Sequence, residues 1–193
     1  MKYNDLQKIK KKYFSYQDIA RVLSISETSA KVLASRYVKK KYLVRLRKNY
    51  YLFTEKWNTL KFREKVEIAN IIQVPSYVSL MTALSYYEIT TQVQQYFIES
   101  ISLYRTFSKE IVDTTFNYSK IKRSYYFGFK RENNIFIALP EKSFIDAIYL
   151  TYQGKYHLDI SSIDLEKIDQ KKLNNLLQIY TDEFTAYIKR IFQ

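Results

Sequence analysis

Positive charge is distributed very unevenly along this chain of 193 residues. Residues 1–73 contain 18 Lys and Arg against 6 Asp and Glu, a net charge of +12, whereas residues 74–193 contain 14 against 13, a net charge of +1. Pro75 follows the basic segment, and a proline disfavours helical backbone at the residue before it. We therefore expect two domains, residues 1–73 and 74–193, and a polyanion as the natural partner of the first.

The composition excludes several classes of chemistry. Gly128 and Gly154 are the only glycines, so neither a G-x-x-x-x-G-K phosphate loop nor a G-x-G-x-x-G dinucleotide turn can be written. The chain has no Cys and one His, which rules out disulfides, thiol nucleophiles and multi-histidine zinc sites. We expect no cofactor and no metal. Neither a signal peptide nor a stretch of about 18 consecutive apolar residues is evident, so we expect a cytoplasmic protein without a membrane partner.

The spacing of apolar residues predicts two helices near the start of the chain. A first amphipathic helix is expected over Asp5–Lys12. A second is expected over Tyr16–Leu23, because Ser15 stands three residues before Asp18 as in a capping box. The helical period then breaks at the polar residues that follow.

A third helix is expected over Glu27–Lys40, with Ser26 as its N-cap. Two short helices joined by three or four residues form a helix-turn-helix. The inward positions of the third helix are Ala30, Leu33, Ala34 and Tyr37. Its outer positions are Thr28, Ser29, Lys31, Ser35, Arg36 and Lys39.

After Lys41 the pattern changes to the alternation typical of strands. Leu43–Arg47 and Tyr50–Phe53 read as a two-stranded hairpin, and Asn49 stands where the turn commonly requires a positive φ. A helix-turn-helix followed by a basic hairpin predicts a winged helix. Such a fold suits duplex DNA, because short hydroxyls and cations on one helix can enter the major groove while the hairpin contacts phosphates.

These positions give two sets of candidate DNA-binding residues. The candidates for base edges are Thr28, Ser29, Lys31 and Ser35. The candidates for the phosphate backbone are Arg36, Lys39, Arg45, Arg47 and Lys48. The alternatives are that these cations form an ordinary solvated surface or that the winged helix binds another protein.

The remainder of the chain predicts a second α+β domain. Ser76 is expected to cap a helix that the chain enters from Pro75. A further helix is expected from Pro140 through Leu150, with Phe144, Ile145, Ile148 and Tyr149 facing inward, and Asp169–Phe192 reads as one or two more helices. β-branched and aromatic residues predict a small antiparallel sheet from Gln95–Ile101, Ile111–Ile121, Tyr125–Lys130 and Ile135–Leu139.

The order of motifs resembles a known family. A basic winged helix is followed by Pro75-Ser76-Tyr77-Val78-Ser79, by Ala83-Leu84-Ser85-Tyr86 and by Ala138-Leu139-Pro140-Glu141-Lys142 with Asp146. This order is similar to that of the AbiEi type IV antitoxins over roughly residues 14–152. Glu88 and Lys41 depart from the family pattern, since they stand where glycines are expected.

The resemblance implies a function. It implies that the winged helix binds the operator of its own operon and that the C-terminal domain opposes a co-encoded AbiEii-like nucleotidyltransferase toxin. Such pairs serve in abortive infection against phage, and antitoxins of this type can act by opposing the toxin's effect without binding it tightly. It assigns no chemistry to Glu141, Lys142 or Asp146, which we interpret as structural.

Two other functions are alternatives to this one. A winged-helix repressor whose C-terminal domain senses a ligand or dimerises, with no toxin partner, fits the same domain order. An enzyme acting on DNA would need paired carboxylates for a metal, for which Glu110 with Asp113 or Asp164 with Glu166 are the candidates. Neither pair has a lysine at the spacing that such nuclease sites generally use, so we expect no enzyme.

Overall fold

The structure, a computed structural model, describes residues 2–92 and 94–192 and divides into two compact units, Met1–Ile72 and Gln73–Gln193. We call them the N-terminal and C-terminal units and describe each by itself. The elements of the N-terminal unit are α1 (Lys2–Leu6), α2 (Tyr16–Leu23), α3 (Glu27–Lys39), β1 (Leu43–Arg47), β2 (Tyr50–Phe53), α4 (Thr54–Asn58) and α5 (Phe62–Ile72).

The first helix differs from the one expected over Asp5–Lys12, because α1 already ends at Leu6. Ile9 is buried but lies outside the helix, in a turn where its N–H donates a hydrogen bond to the carbonyl of Leu6 at 2.9 Å. Phe14 then pairs with Tyr51 through two backbone hydrogen bonds of 2.9 and 3.0 Å. The chain leaves the helix through a turn at Gln7 and Lys8, and residues 9–11 lead without regular secondary structure to the extended backbone that the bridge requires at Phe14.

Local capping fixes both helices of the helix-turn-helix. The side chain of Ser15 accepts the N–H of Asp18, and the Asp18 carboxylate accepts the N–H of Ser15 at 2.9 Å, so the capping box is confirmed. Ser24 adopts a left-handed backbone, with φ of 51°, and ends α2. The side chain of Ser26 accepts the N–H of Ser29 at 3.2 Å and starts α3.

The wing, which is the hairpin of β1 and β2, has the strand bounds expected from the sequence. Asn49 lies at its turn with φ of 59°. The Asn49 side chain accepts the N–H of Tyr16 at 2.9 Å and donates to the side chain of Gln17 at 2.8 Å. One residue therefore both permits the turn and ties the wing to the first turn of α2.

The core of the N-terminal unit lies between the helices and the wing. Ala30, Ala34 and Tyr37 of α3 are buried in it as predicted, whereas Leu33 is only half-buried at its edge. Small residues at two of these positions allow α3 to approach α2 closely. The opposite side of α3 faces solvent.

The C-terminal unit is built on a sheet larger than the one expected. Its strands are β3 (Ser76–Val78), β4 (Phe97–Ser102), β5 (Phe107–Ile111), β6 (Thr114–Lys120), β7 (Phe129–Glu132) and β8 (Ile135–Ala138). They form a six-stranded sheet in the order β5-β6-β4-β3-β8-β7. Neighbours are antiparallel except β4 with β6 and β3 with β8, which are parallel. The α+β class is confirmed, but the expected small antiparallel sheet is a six-stranded mixed one.

Pairing at long range explains this correction. Ser76 does not cap a helix: it opens β3, which pairs with β4 on one side and β8 on the other. The helix α6 (Leu80–Tyr86) begins one turn later, with Ser79 as its N-cap residue. The expected strand over Ile111–Ile121 is divided by a turn at Val112, whose φ is 56°.

Helix α7 (Pro140–Tyr152) lies at the centre of the C-terminal unit, and every residue from Glu141 to Leu150 is buried. The inward positions predicted for it, Phe144, Ile145, Ile148 and Tyr149, belong to the main core. Helices α8 (Gln170–Leu177) and α9 (Asp182–Lys189) pack against α7. Because α7 is enclosed on all sides, its charged residues need partners inside the protein.

Lys41 and Glu88, which stand where the family pattern has glycines, both adopt a left-handed backbone. Lys41 has φ of 59° at the start of the wing, and Glu88 has φ of 57° after α6. A residue with a Cβ atom pays about 1 kcal/mol or more for this conformation, which glycine adopts freely. Both loops therefore have the geometry that a glycine would favour, with a different side chain.

Candidate nucleic-acid interface

The solvent side of α3 brings together six of the residues predicted to bind DNA, and we call it the α3 face. Two shallow adjoining grooves, of about 520 and about 360 Å³, run along it and share Thr28, Val32 and Arg36 as lining residues. All six predicted residues are exposed: Thr28, Ser29, Lys31, Ser35, Arg36 and Lys39.

The charges on this face lack acidic partners. Within residues 2–92 and 94–192, none of the cations Lys31, Arg36 and Lys39 forms an ion pair or a hydrogen bond with a carboxylate. Elsewhere in the same unit, Lys11 lies 2.6 Å from the carboxylate of Asp18. The cations of the α3 face are therefore not held in ion pairs with the protein's own acidic residues, and their charge remains available to a polyanion.

The paired acidic residues have a structural role away from the α3 face. Burial raises the pKa of the Asp18 carboxyl, but hydrogen bonds from Lys11 and from Ser15 outweigh it, so its pKa lies below the usual value. Lys12 similarly contacts Glu64 at 3.0 Å and Glu67 at 3.4 Å. These ion pairs connect the segment after α1 to α2 and to α5.

The wing supplies the other three predicted residues. Arg45 on β1 and Lys48 in the turn are exposed, and neither has a carboxylate partner among the described residues. Arg47 is half-buried, and the central carbon of its guanidinium lies 4.4 Å from the centre of the Tyr50 ring. Stacking of this kind orients the guanidinium while its N–H groups remain available for phosphate.

The hydroxyl groups on the α3 face are not equivalent. The hydroxyl of Ser29 accepts a hydrogen bond from that of Ser26 at 2.9 Å, within the cap of α3. Ser29 is therefore committed in part to the helix start, although its own O–H remains a donor. Thr28 and Ser35 line the grooves themselves.

One residue of the α3 face was missed at the sequence level. Val32 lines both grooves and keeps 55% of its surface exposed. The helical period alone would have placed it outward, since it lies four residues after Thr28 and three before Ser35. Valine offers no hydrogen bond, so the pattern of polar and charged residues does not indicate it.

Comparison with known families gives a match within this unit. Residues 1–54 match the family model described as "Transcriptional regulator, AbiEi antitoxin". The chain therefore carries an N-terminal AbiEi antitoxin regulator domain. This AbiEi domain runs from α1 to the end of the wing and so includes the whole α3 face. Comparison of the chain with curated protein sequences gave no significant match.

The carboxylate pairs considered for a metal lie on the surface of the C-terminal unit. Glu110 is exposed on β5, and the side chain of Asp164 accepts the N–H of Glu166 as the cap of a 3₁₀ turn. Within the described part of the chain, no group of three His, Asp or Glu side chains is arranged to hold a metal ion.

Among the helices of residues 2–92 and 94–192, none combines the length and the hydropathy required of a membrane span.

The C-terminal unit contains a buried polar cluster, formed by Tyr77, Ser79, Lys142 and Asp146. The carboxylate of Asp146 accepts hydrogen bonds from the hydroxyls of Tyr77 at 3.0 Å and Ser79 at 2.8 Å, and from the ammonium of Lys142. Lys142 and Asp146 are fully buried. Burial raises the pKa of Asp146 and lowers that of Lys142, and their mutual attraction opposes both shifts.

Aromatic rings complete the surroundings of this buried polar cluster. The Lys142 ammonium lies 5.7 Å from the ring centre of Tyr77, 5.4 Å from that of Phe127 and 5.9 Å from that of Tyr180. The cluster joins the motif around Tyr77 to the motif around Asp146, which lies 69 positions later in the chain. Without solvent access it can hold the fold together, but it offers no surface to a substrate.

Proposed function

We propose that this protein is a DNA-binding antitoxin of a toxin–antitoxin system that represses its own operon and opposes a co-encoded AbiEii-like nucleotidyltransferase toxin. In this proposal the system acts in abortive infection against phage, and the protein works in the cytoplasm on its own operator. The N-terminal unit carries out repression, and the C-terminal unit carries out the antitoxin action.

One observation carries the proposal: the residues that match the AbiEi regulator family also form the unpaired basic face. The match ends at residue 54, and α3 and the wing lie within it. A regulator acts on DNA, and exposed cations without carboxylate partners are what phosphate groups attract. The C-terminal assignment depends on the similarity of its motifs to the same family.

The proposed contacts follow the positions of the side chains. The hydroxyl residues of the α3 face and Lys31 contact base edges in the major groove, and the cations in the last turn of α3 and on the wing contact phosphates. The base-edge set is Thr28, Ser29, Lys31 and Ser35. The phosphate set is Arg36, Lys39, Arg45, Arg47 and Lys48.

Binding to DNA is the first test. Fluorescence anisotropy compares a duplex taken from immediately upstream of the gene with a scrambled duplex, over a series of salt concentrations. We expect preference for the upstream duplex at moderate salt, and weaker binding by Lys31→Ala and Arg36→Ala. Lys8→Ala is the matched control, because it removes one positive charge that already pairs with Asp5 at 3.0 Å.

The results of this experiment separate three cases. Specific binding that Lys31→Ala and Arg36→Ala weaken, while Lys8→Ala does not, supports operator binding through the α3 face. Equal weakening by all three variants means that only net charge matters. Equal, salt-sensitive binding to both duplexes refutes autoregulation.

The antitoxin action is tested in cells. Expression of a nucleotidyltransferase-like gene from the same operon should arrest growth, and co-expression of this protein should restore it. Lys31→Ala with Arg36→Ala should still restore growth while losing repression of a reporter that carries the upstream DNA. Repression without rescue, or the absence of such a neighbouring gene, would favour a repressor with a ligand-sensing or dimerising C-terminal domain.

A further inference from the structure

The most exposed large hydrophobic side chain among the described residues of the N-terminal unit is Val32, with 55% of its surface exposed. It stands near the middle of α3, whose buried side is already filled by other residues. Val32 therefore does not belong to the core. It is the apolar centre of the α3 face and borders both of its grooves.

The neighbours of Val32 restrict what this apolar spot can bind. Thr28 and Arg36 lie one helical turn away on either side, and Lys31 precedes it directly. Lys31 and Arg36 have no carboxylate partner among residues 2–92 and 94–192. The unit that contains them has a strongly positive net charge. Charge complementarity therefore favours a polyanion that presents a small apolar group between its phosphates.

Duplex DNA presents one such group in the major groove. The C5 methyl of thymine is the apolar feature that distinguishes T·A from the other base pairs there, and short aliphatic side chains contact it. Valine has the size and shape for this contact, and its branched side chain has few rotamers to lose when it is buried.

We propose that Val32 contacts the C5 methyl group of a thymine in the operator and so determines the requirement for T·A at that position. This inference rests on the proposed function, since it requires that the α3 face enter the major groove of a specific site. It assigns to Val32 a role in sequence discrimination, whereas the neighbouring cations provide affinity for the backbone.

The test removes the methyl group alone. Each thymine of the upstream duplex is replaced in turn by deoxyuridine, and binding to the full chain is measured by fluorescence anisotropy. At one or two adjacent positions, wild-type protein should bind the uracil duplex about fourfold more weakly, which corresponds to one buried methyl group. Val32→Ala should bind the thymine duplex about fourfold more weakly and should no longer distinguish the two bases there.

Arg36→Ala is the matched control from the next turn of α3. It should weaken binding to the thymine and uracil duplexes by the same factor, because a phosphate contact does not sense the methyl group. Far-UV circular dichroism checks that each variant is folded, as expected for exposed positions.

The experiment distinguishes failure of the thymine contact from failure of operator binding. If wild-type protein prefers the upstream duplex but no single uracil replacement weakens binding, the thymine contact is refuted and operator binding stands. The same holds if Val32→Ala still distinguishes thymine from uracil at the sensitive position. If the protein binds upstream and scrambled duplexes equally, both the proposed function and this inference are overturned.

Discussion

A buried carboxylate should make the stability of the C-terminal unit depend on pH near neutrality. Glu99 of β4 is buried, and its carboxylate accepts the N–H of Met81 at 3.1 Å and the hydroxyl of Tyr156 at 3.1 Å. Burial raises the pKa of Glu99 from 4.5 to about 7, although both hydrogen bonds lower it. The perturbation that tests this is Glu99→Gln, which keeps the acceptor and removes the charge.

The sign and the size of the effect follow from proton linkage. Between pH 4.5 and about 7, the folded protein holds a proton on Glu99 that the unfolded chain has lost. The folded state is therefore stabilised at low pH, and this contribution is lost as the pH rises through 7. With these two pKa values, the free energy of unfolding should fall by about 2.5 kcal/mol between pH 5 and pH 8 because of Glu99.

The assay is urea unfolding at pH 5 and pH 8, followed by far-UV circular dichroism and by fluorescence of Trp57, the only tryptophan of the chain. Trp57 is buried in the N-terminal unit, so its fluorescence reports the unfolding of that unit. The transition of the C-terminal unit should lose its pH dependence in the variant. Glu110→Gln, which alters an exposed carboxylate on β5, should behave like wild type.

The reasoning is refuted by one clear result. If Glu99→Gln shows the same change in the free energy of unfolding between pH 5 and pH 8 as wild type, Glu99 is already ionised in the folded protein at pH 5. Its burial would then not control its protonation, and the pH dependence would have another source.

Three further sets of substitutions test individual contacts in the two units. Lys142→Met should lower the free energy of unfolding by about 3–5 kcal/mol, because it leaves Asp146 buried without its cation. Adding Asp146→Asn should recover part of that loss, and strictly additive effects in urea unfolding would contradict the coupling. Gly128→Ala should cost about 1–3 kcal/mol, because the new Cβ would lie 3.0 Å from Cγ of Lys142. Gly154→Ala, also at positive φ but in open space, should cost less, and equal thermal shifts would show that the contact is unimportant. Asn49→Ala should destabilise the N-terminal unit by about 1–2 kcal/mol more than Asn49→Gly, because alanine adds backbone strain to the lost hydrogen bonds. Tryptophan fluorescence during unfolding measures this difference, and indistinguishable midpoints would count against strain at the turn.

The sequence predicted those parts of the N-terminal unit that local chemistry determines. The starts of α2 and α3 depend on Ser15 with Asp18 and on Ser26, each of which bonds within four residues of itself. The wing turn depends on Asn49 at positive φ. The end of the first helix could not be predicted in the same way, because the chain leaves α1 after Leu6 and then pairs at Phe14 with Tyr51, far along the sequence.

The C-terminal sheet shows the limit of sequence patterns more clearly. Strand β3 has only three residues, Ser76–Val78, which is too short to show the alternation typical of a strand. Its partners β4 and β8 are separated from it by many residues of sequence. Parallel pairing between β3 and β8 arises from the route of the chain through α6 and the intervening strands, which alternation of apolar residues does not reveal. The exposed α3 face, by contrast, follows from the helical period alone, and Val32 is absent from the predicted set because that set contains only polar and charged residues.

Two of the three motifs that carry the family resemblance in the C-terminal unit have a physical explanation that does not involve the toxin. Tyr77 and Ser79 come from one motif, Lys142 and Asp146 from the other, and the four meet in one buried polar cluster. A buried charge must have these partners, so the motifs are coupled by the stability of the fold. Any group that opposes a toxin has to be reached from outside, whereas Lys142 and Asp146 have no exposed surface. If the proposed antitoxin action is correct, it therefore depends on exposed residues outside these motifs. Substitutions in the cluster should then reduce growth rescue only in proportion to the loss of folded protein.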